Sequence, residues 1–171
     1  MNQSNNSVSL RPIDERDTLN VLKWRNKVKY YLFSQDDVTE EMHLSWLNNY
    51  VKTGKCHQFI IEVADNSSLY PIGTIFIKNI DQERKEGEYG IFIGEEAARG
   101  KGYGRSASEM ILKYAFEVLG LNTVVLYVFS FNESAIHMYS SLGFKIQEDY
   151  EEIVERDGEK LPVLKMIITN K

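Results

Sequence analysis

The chain has 171 residues, of which 43% are hydrophobic and 26% charged, a composition typical of one globular domain. Its formal net charge of −5 argues against a nucleic-acid partner, since proteins that bind nucleic acids usually carry a basic surface. The polar start MNQSNNS has no apolar segment of the kind found in signal peptides or membrane anchors, so we expect residues 1–7 to form a disordered tail, no membrane partner and a cytoplasmic location.

The first third of the chain predicts one strand and two helices. A short strand runs from Ser9 to Ile13, and a helix with apolar residues among charged ones follows from Asp14 to Asn26. Thr39 is a residue type that caps helices, and the two glutamates after it suit the positive end of a helix dipole. The residues that follow at helical spacing define one apolar face: His43, Trp46, Leu47 and Tyr50.

From His57 the pattern changes to β-branched and aromatic segments separated by polar turns. The predicted strands are His57–Ala64, Pro71–Ile80 and Gly87–Gly94, and their short connections predict an antiparallel meander. A strongly amphipathic helix comes next, with Gly120 as its C-terminal cap. Its apolar stripe consists of Ala107, Met110, Ile111, Tyr114, Ala115 and Val118.

The last part of the chain alternates strands and helices. The next strand is Asn122–Phe129, and because a helix joins it to the strand before, the two are predicted to be parallel neighbours. Asn132 is the N-cap of a further helix, which Gly143 ends. Asp157–Gly158 is a favoured hairpin turn. These elements predict a single mixed α/β domain over residues 8–171.

Three glycines stand in RGKGYG, Arg99 to Gly104, where a strand passes into a helix. The dinucleotide fingerprint G-x-G-x-x-G fails because its last position holds Arg105 or Ala107, and the phosphate loop fails because no Ser or Thr follows the lysine. The remaining interpretation is that backbone amides at a helix N-terminus bind a pyrophosphate, since the first helical amides lack partners and glycines let oxyanions approach them. Basic residues would add positive charge: Arg99, Lys101 and Arg105.

Two motifs, in this order, resemble the acetyl-CoA site of the GNAT N-acetyltransferase superfamily. The first, Q/R-x-x-G-x-G/A, matches Arg99, Gly102 and Gly104. The second, N-x-x-S/A-x-x-x-Y-x-x-x-G-F, matches Asn132, Ala135, Tyr139, Gly143 and Phe144. The element order also resembles the family's fold from Ser9 to Thr169. The resemblance implies a mostly antiparallel twisted sheet with one splayed parallel strand pair and about four flanking helices.

The resemblance also implies acetyl-CoA as the cosubstrate and assigns roles to particular residues. The glycine turn would wrap the pyrophosphate of CoA, Asn132 would lie near the pantetheine arm, and backbone groups of Phe92 and Ile93 would bond to pantetheine where the strands splay. Tyr139 would be the general acid, because a phenol with a reference pKa of about 10 stays protonated at neutral pH. The expected cofactor-binding residues are Phe92, Ile93, Arg99, Gly100, Lys101, Gly102, Tyr103, Gly104, Arg105 and Asn132.

The general base is left open between a strand glutamate and a water chain. Glu88 lies inside the β pattern, on the same face as Glu86, and is the candidate; the alternative is that it is a solvated charge next to the hairpin. The lone Cys56 has no evident activation, and the three histidines show no metal-ligand spacing. We therefore expect direct transfer in a ternary complex, with no metal and no covalent enzyme intermediate.

Substrate recognition is expected from the first half of the chain. W-R-N, Trp24–Asn26, and H-x-x-W, His43–Trp46, resemble the branch of the superfamily that holds RimJ/RimL-type protein N-terminal, spermidine and nucleotide-amino-sugar acetyltransferases. Aromatic residues there could stack on a sugar-linked base: Tyr30, Tyr31, Phe33 and Trp46. For Trp24 and Trp46 we favour the alternative that they anchor the two helices on the sheet.

The expected substrate-binding residues are Trp24, Asn26, Tyr31 and Trp46. The favoured acceptor is an amino sugar, free or nucleotide-linked, and the alternatives are a protein N-terminus or a polyamine. A hypothesis from another class is a non-catalytic acyl-CoA sensor, which would keep RGKGYG but need neither Tyr139 nor Glu88. The terminal hairpin could supply the contact of a homodimer.

Overall fold

The computed structural model describes residues 7–65 and 68–170, so residues 1–6 of the expected tail lie outside the described part. Within that part the strands are β1 (Val8–Pro12), β2 (Cys56–Asp65), β3 (Ser68–Asp81), β4 (Glu86–Ile93), β5 (Thr123–Phe129), β6 (Lys145–Ile146), β7 (Glu152–Arg156) and β8 (Glu159–Thr169). The α-helices are α1 (Thr18–Val28), α2 (Glu40–Trp46), α3 (Tyr103–Glu117) and α4 (Glu133–Ser141). None of the helices in this part of the chain has the length and hydropathy needed to cross a membrane.

The strands form one sheet in the order β1-β2-β3-β4-β5-β8-β6, with β7 also paired to β8. β1 to β4 are antiparallel neighbours, which confirms the predicted meander. β4 and β5 are parallel, also as predicted, but their pairing extends only from Glu86–Thr123 to Glu88–Val125. β5 instead pairs with β8 along its whole length. The sheet therefore has two halves, β1–β4 and β5–β8, which part beyond Glu88.

Helices cover both faces of the sheet. The larger buried cluster joins α3 and α4 to one face, and the smaller cluster joins α1 and α2 to the other. The neighbours Ile60 and Ile61 on β2 belong to different clusters, because successive residues of a strand face opposite sides. This arrangement is the mixed α/β fold expected from the sequence, with the parallel pair between two antiparallel halves.

The buried face of α3 differs in part from the predicted stripe. Met110 and Val118 are exposed, whereas Ser108 and Leu112 are buried. The expected residues Ala107, Ile111 and Ala115 are fully buried. Ser108 can be buried because its hydroxyl is satisfied inside the protein, where it donates to the carbonyl of Gly104 at 2.6 Å. A search for apolar periodicity does not detect such a residue.

Most of the predicted caps and turns are confirmed. The side chain of Thr39 accepts a hydrogen bond from the amide of Met42 at 3.3 Å, and α2 begins directly after it. Gly120 and Gly143 have φ values of 66° and 102° at the ends of their helices. The first helix begins later than predicted, at Thr18, because a short 3-10 turn (Glu15–Asp17) precedes it.

Candidate active site

A cleft with a volume of about 910 Å³ opens at the gap between β4 and β5. On one face of the sheet, residues of the loop 99–105 and of α4 line it, and we call this part the turn side. On the other face, residues of α1, of α2 and of the intervening segment 28–38 line it, and we call this part the helical side. The cleft therefore connects the two faces where the strands part.

The turn side is built on two glycines with left-handed backbone angles. Gly100 has φ 71° and Gly102, the N-cap of α3, has φ 83°, a region that residues with a Cβ rarely adopt. A Cβ at either position would meet nothing within 4 Å, so space lies in front of the turn. The amides of Gly104 and Arg105 lie in the first helical turn and have no partner within the helix. The turn thus offers backbone donors to an anion.

The three basic residues of the turn are held differently. Arg99 lines the cleft, and its Nε donates to the carbonyl of Ile93 at 3.0 Å, which fixes the turn to the end of β4. Arg105 also lines the cleft and pairs with a carboxylate one turn later on α3, at 3.1 Å. Lys101 is exposed and lies outside the cleft lining. Two arginines are therefore placed to contact an anion in the cleft.

Two other expected cofactor contacts also have structural roles. Asn132 caps α4 by accepting a hydrogen bond from the amide of Ala135 at 3.4 Å, and it lines the cleft. The ring of Tyr103 lies in the larger buried cluster and borders the cleft. Both residues thus fix the helix starts around the turn side.

The peptide groups of β4 alternate between β3 and the gap. The amide of Gly94 donates to the carbonyl of Ile72 at 2.9 Å, so residue 94 bonds to β3. In an antiparallel pair the bonded residues recur at every second position. Phe92, opposite Thr74, therefore also bonds to β3. This register corrects the expectation that the backbone of Phe92 faces pantetheine, because its peptide group is already committed to the sheet.

Ile91 and Ile93 alternate with Phe92, and their peptide groups face the gap. The carbonyl of Ile93 accepts the bond from Arg99 and thus points away from β3. An extended ligand in the gap could bond to these two residues as an added strand does. The structure therefore keeps Ile93 as a candidate backbone contact and adds Ile91, which sequence analysis missed because only the pairing register identifies it.

Tyr139 lies on α4 at the turn side, where 8% of the residue is exposed. Its ring packs against those of Tyr89 and Phe144, with centroid distances of 5.7 and 6.0 Å. Its hydroxyl has no hydrogen-bond partner among residues 7–65 and 68–170. Burial raises the pKa of the phenol, so the proton stays on the oxygen at neutral pH. A protonated and unpaired phenol beside the cleft is suited to donate that proton.

Tyr89, the neighbouring buried phenol, has a different role. Its hydroxyl lies 2.6 Å from Oγ of Ser108, and Ser108 donates its own proton to the carbonyl of Gly104. The proton between the two hydroxyls must therefore come from Tyr89. This chain of bonds fixes the beginning of α3 and leaves Tyr89 without a proton for the cleft.

Glu88 lines the helical side of the cleft. Lys78, directly opposite on β3, places its Nζ 3.3 Å from Oε1 of Glu88, and Nδ2 of Asn79 donates to Oε2 at 2.7 Å. The carboxylate is thus fixed in position and paired with a cation. The alternative of a freely solvated charge does not describe it.

Trp24 is an anchor of α1 and does not line the cleft. Only 1% of the residue is exposed, and its indole N–H donates to Oε1 of Glu95 at 2.6 Å. Its ring fills the space beside Gly94, where any Cβ would overlap the indole. The position of Trp24 therefore favours the anchoring interpretation over a contact with the substrate.

The other three expected substrate residues have distinct positions. Tyr31 and Trp46 line the cleft. The indole N–H of Trp46 already donates to Oε1 of Gln58 at 2.9 Å, so only its ring faces a ligand. The side chain of Asn26 bonds to both peptide groups of Val38, at 3.0 and 3.3 Å, outside the cleft lining. Asn26 thus positions the segment 28–38 instead of lining the cleft itself.

The segment 28–38 is also held from the far end of the chain. Arg156 on β7 donates from its two terminal nitrogens to the carbonyls of Tyr30 and Leu32, each at 2.8 Å. Its guanidinium lies over the ring of Phe129 at 4.9 Å, and the ring of Phe33 packs on the same phenyl group. β7 thereby fixes one wall of the helical side.

Several lining residues escaped sequence analysis: Arg25, His43, Phe76, Lys78, Ile91 and Tyr127. Arg25 and His43 belong to the W-R-N and H-x-x-W motifs, so a signal for them was present in the sequence. Lys78 becomes visible only through the register that sets it opposite Glu88. Among the described residues, no group of His, Cys, Asp or Glu is placed to hold a metal ion.

Comparison with known proteins finds acetyltransferases both among protein families and among individual relatives. Residues 7–145 match the family model described as an acetyltransferase (GNAT) domain. The chain is 27% identical to the spermidine N(1)-acetyltransferase of Vibrio cholerae over 146 residues, which cover 82% of this chain and 80% of that protein. It is 29% identical over 130 residues to the acetyltransferase PseH of Campylobacter jejuni, with coverage of 75% and 77%.

A solved structure supports the fold. The crystal structure of spermidine N-acetyltransferase from Vibrio cholerae in complex with CoA and spermine superposes with a TM-score of 0.83. The superposition covers 95% of each chain at 24% sequence identity. The mixed sheet with its splayed parallel pair is thus an architecture that this solved structure shares.

Proposed function

This chain belongs to the GNAT acetyltransferase family, and from that premise we propose that its acceptor is an amino sugar, free or linked to a nucleotide. The family membership makes the protein an acetyl-CoA-dependent N-acetyltransferase that acts on an amine. It also decides against the non-catalytic acyl-CoA sensor. The proposal concerns the acceptor and the residues that carry out the transfer.

The charge of the helical side is the observation that supports an amino sugar. Arg25 and Lys78 line it, and Glu88 is the single carboxylate among the described lining residues. Glu88 is itself paired with Lys78. A polyamine carries several positive charges, and among the lining side chains it would meet more cations than carboxylates, although Asp36 and Asp37 lie near Arg25 behind the lining. An acceptor with an anionic group, such as a nucleotide-linked sugar, would be attracted instead.

The aromatic lining supports the same acceptor. Rings on the helical side offer flat apolar surfaces to a sugar or a base: Tyr31, Phe33, Trp46, Phe76 and Tyr127. The relatives named as spermidine acetyltransferases, 27% and 28% identical to this chain, favour a polyamine as the second candidate. A polyamine would bind best to a negatively charged cleft and a nucleotide-linked sugar to a positively charged one. The two candidate acceptors can therefore be distinguished by experiment.

In the proposed reaction, the turn 99–105 and the peptide groups of Ile91 and Ile93 hold CoA with its thioester in the gap. The neutral amine attacks the thioester carbonyl from the helical side, a C–N bond forms, and the C–S bond breaks. The proton lost by the amine passes to Glu88, directly or through water. The departing thiolate takes the phenolic proton of Tyr139, which solvent then replaces.

The test is a thiol-release assay on the purified protein with acetyl-CoA and three acceptors: a UDP-linked amino sugar, the free amino sugar and spermidine. We expect the highest kcat/KM for an amino sugar, and a higher value for its UDP-linked form if Arg25 and Lys78 contact a phosphate. A Lys78→Met variant should narrow the difference between the two sugars. A wild-type kcat/KM higher for spermidine than for either sugar would overturn the proposal.

A further inference from the structure

His43 is a buried residue of the cleft wall with one unused polar atom. It lies on α2, is 4% exposed and lines the helical side. Its Nδ1 is 3.3 Å from Oγ1 of Thr18. Its Nε2 has no hydrogen-bond partner and no exposure to solvent. Buried polar atoms without partners are uncommon in folded proteins, so this one calls for an explanation.

The hydrogen bonds around Thr18 fix the tautomer of this imidazole. The Thr18 hydroxyl donates its single proton to the carbonyl of Glu15 at 2.8 Å. Thr18 must therefore accept from His43, which places the ring proton on Nδ1. Burial lowers the pKa of the imidazole, although the carboxylate of Asp17 opposes the shift, so the ring is neutral near pH 7. Nε2 is then a bare hydrogen-bond acceptor.

Neighbouring polar groups leave Nε2 without an internal donor. The indole N–H of Trp46 donates to Oε1 of Gln58, and Nε2 of Gln58 donates to Oγ1 of Thr74 at 3.0 Å. Within the described residues, the other buried side-chain atom that lacks a partner is Oγ of Ser9, which lies outside the cleft lining. Since His43 lines the helical side, a bound ligand can supply that donor once the buried edge of the ring turns toward the cleft.

We propose that Nε2 of His43 accepts a hydrogen bond from a hydroxyl or amide N–H of the bound acceptor and so selects acceptors that carry this group. The inference rests on the proposed function and deepens it, since a sugar offers several such donors. A site that buries a polar atom discriminates strongly against ligands that cannot pair it, because the atom is then left unsatisfied. His43 would thus be a specificity-determining residue on the wall opposite the turn side.

Two substitutions separate recognition from a structural role. In the His43→Asn variant the side-chain amide can still donate to Thr18, but nothing replaces Nε2. In the His43→Gln variant the longer side chain places its amide group near the former Nε2, where its oxygen can accept, and the bond to Thr18 is lost. If His43 recognises the acceptor, the Asn variant should lose more acceptor affinity than the Gln variant. If the role of His43 is purely structural, the Gln variant should lose more.

The measurement is KM for the best acceptor and for acetyl-CoA, together with the Tm of each variant. We expect the Asn substitution to raise the acceptor KM roughly 10- to 100-fold with the acetyl-CoA KM unchanged. The Gln substitution should retain most of the acceptor affinity. An unchanged acceptor KM in the Asn variant, or an equal loss in both variants, would overturn the inference.

Deoxy analogues of the acceptor provide a second test, whose first readout uses the wild-type protein alone. Among analogues that each lack one hydroxyl or acetamido group, one should lose affinity for the wild type, and that loss should vanish in the Asn variant. Equal affinity of the whole series for the wild type would contradict the role of His43. Failure of the proposed function is seen earlier, in the wild-type acceptor panel, and so is distinguishable from failure of this inference.

Discussion

At the scale of single residues, Tyr89 and Tyr139 are two buried phenols whose rings are in contact. Their hydroxyl protons have different roles. Tyr89 donates to Ser108, whereas the Tyr139 hydroxyl is unpaired within the described residues and lies at the cleft. Burial raises the pKa of both phenols. The sequence motif marks Tyr139, but only the bond from Tyr89 shows why Tyr89 cannot take its place.

The Tyr139→Phe substitution should remove the proton donor and keep the ring. We expect kcat to fall about 100-fold or more, the usual contribution of a general acid, with the KM for acetyl-CoA nearly unchanged. Steady-state kinetics with saturating acceptor measure both values. The Tyr89→Phe variant is the matched control, since it should raise the KM for acetyl-CoA by loosening the start of α3. Wild-type kcat in the Tyr139→Phe variant would remove Tyr139 from the mechanism.

At the scale of elements, the segment 28–38 depends on a residue more than a hundred positions away. Arg156 bonds to two carbonyls of this segment, and Tyr31, Phe33 and Ser34 of the segment line the cleft. The terminal hairpin therefore shapes the helical side although none of its residues lines the cleft. Arg156 is a positioning residue in this arrangement.

The Arg156→Met substitution should release the segment. We expect the acceptor KM to rise about 10-fold, because two charge-assisted hydrogen bonds on a half-buried residue are lost, with the acetyl-CoA KM unchanged. An Arg156→Lys variant, which keeps one donor, should recover part of the loss. Lys160→Met in the same hairpin removes a positive charge on an exposed residue and serves as control. Equal KM values in the Met and wild-type proteins would contradict the positioning role.

The predictions from sequence are correct where local patterns determine the structure. They are wrong where strand register or a long-range hydrogen bond determines it. The strands, the parallel pair, the caps and the hairpin follow from periodicity and turn residues. The buried hydroxyl of Ser108 accepts from Tyr89 as well as donating to Gly104, and the direction of the Phe92 peptide depends on its register with Thr74. Both are long-range choices that a single sequence does not record. The placement of Arg99 and Tyr139 at the cleft was predictable because each stands in a motif with fixed spacing.

At the scale of the whole molecule, two half-sheets are joined by three residue pairs between β4 and β5. The formal net charge of the chain is −5, yet the described cleft lining holds Arg25, Lys78, Arg99 and Arg105 against Glu88 alone. Total charge therefore gave no information about the charge of the site. The homodimer expected through the terminal hairpin stays a prediction; Ile146 and Ile153 are exposed at that edge.

CoA should act as a bridge between the two halves of the sheet. At about 100 times its Kd we expect CoA to raise the free energy of unfolding by about 2.7 kcal/mol, since it binds the folded state alone. Thermal denaturation with and without CoA measures the shift. Hydrogen exchange should show added protection at the amides of Ile91 and Ile93, with little at β1. An unchanged Tm in saturating CoA, or protection spread evenly over the sheet, would contradict this arrangement.

The two tryptophans of the chain report on separate places. Trp24 is enclosed in the core beside Gly94 and Glu95, while Trp46 faces the cleft with Tyr50 stacked on it at 4.4 Å. The fluorescence of Trp46 is therefore sensitive to a ligand bound in the helical side, and the fluorescence of Trp24 supplies a constant background. The molecule thus carries a built-in optical probe of acceptor occupancy, readable without any turnover.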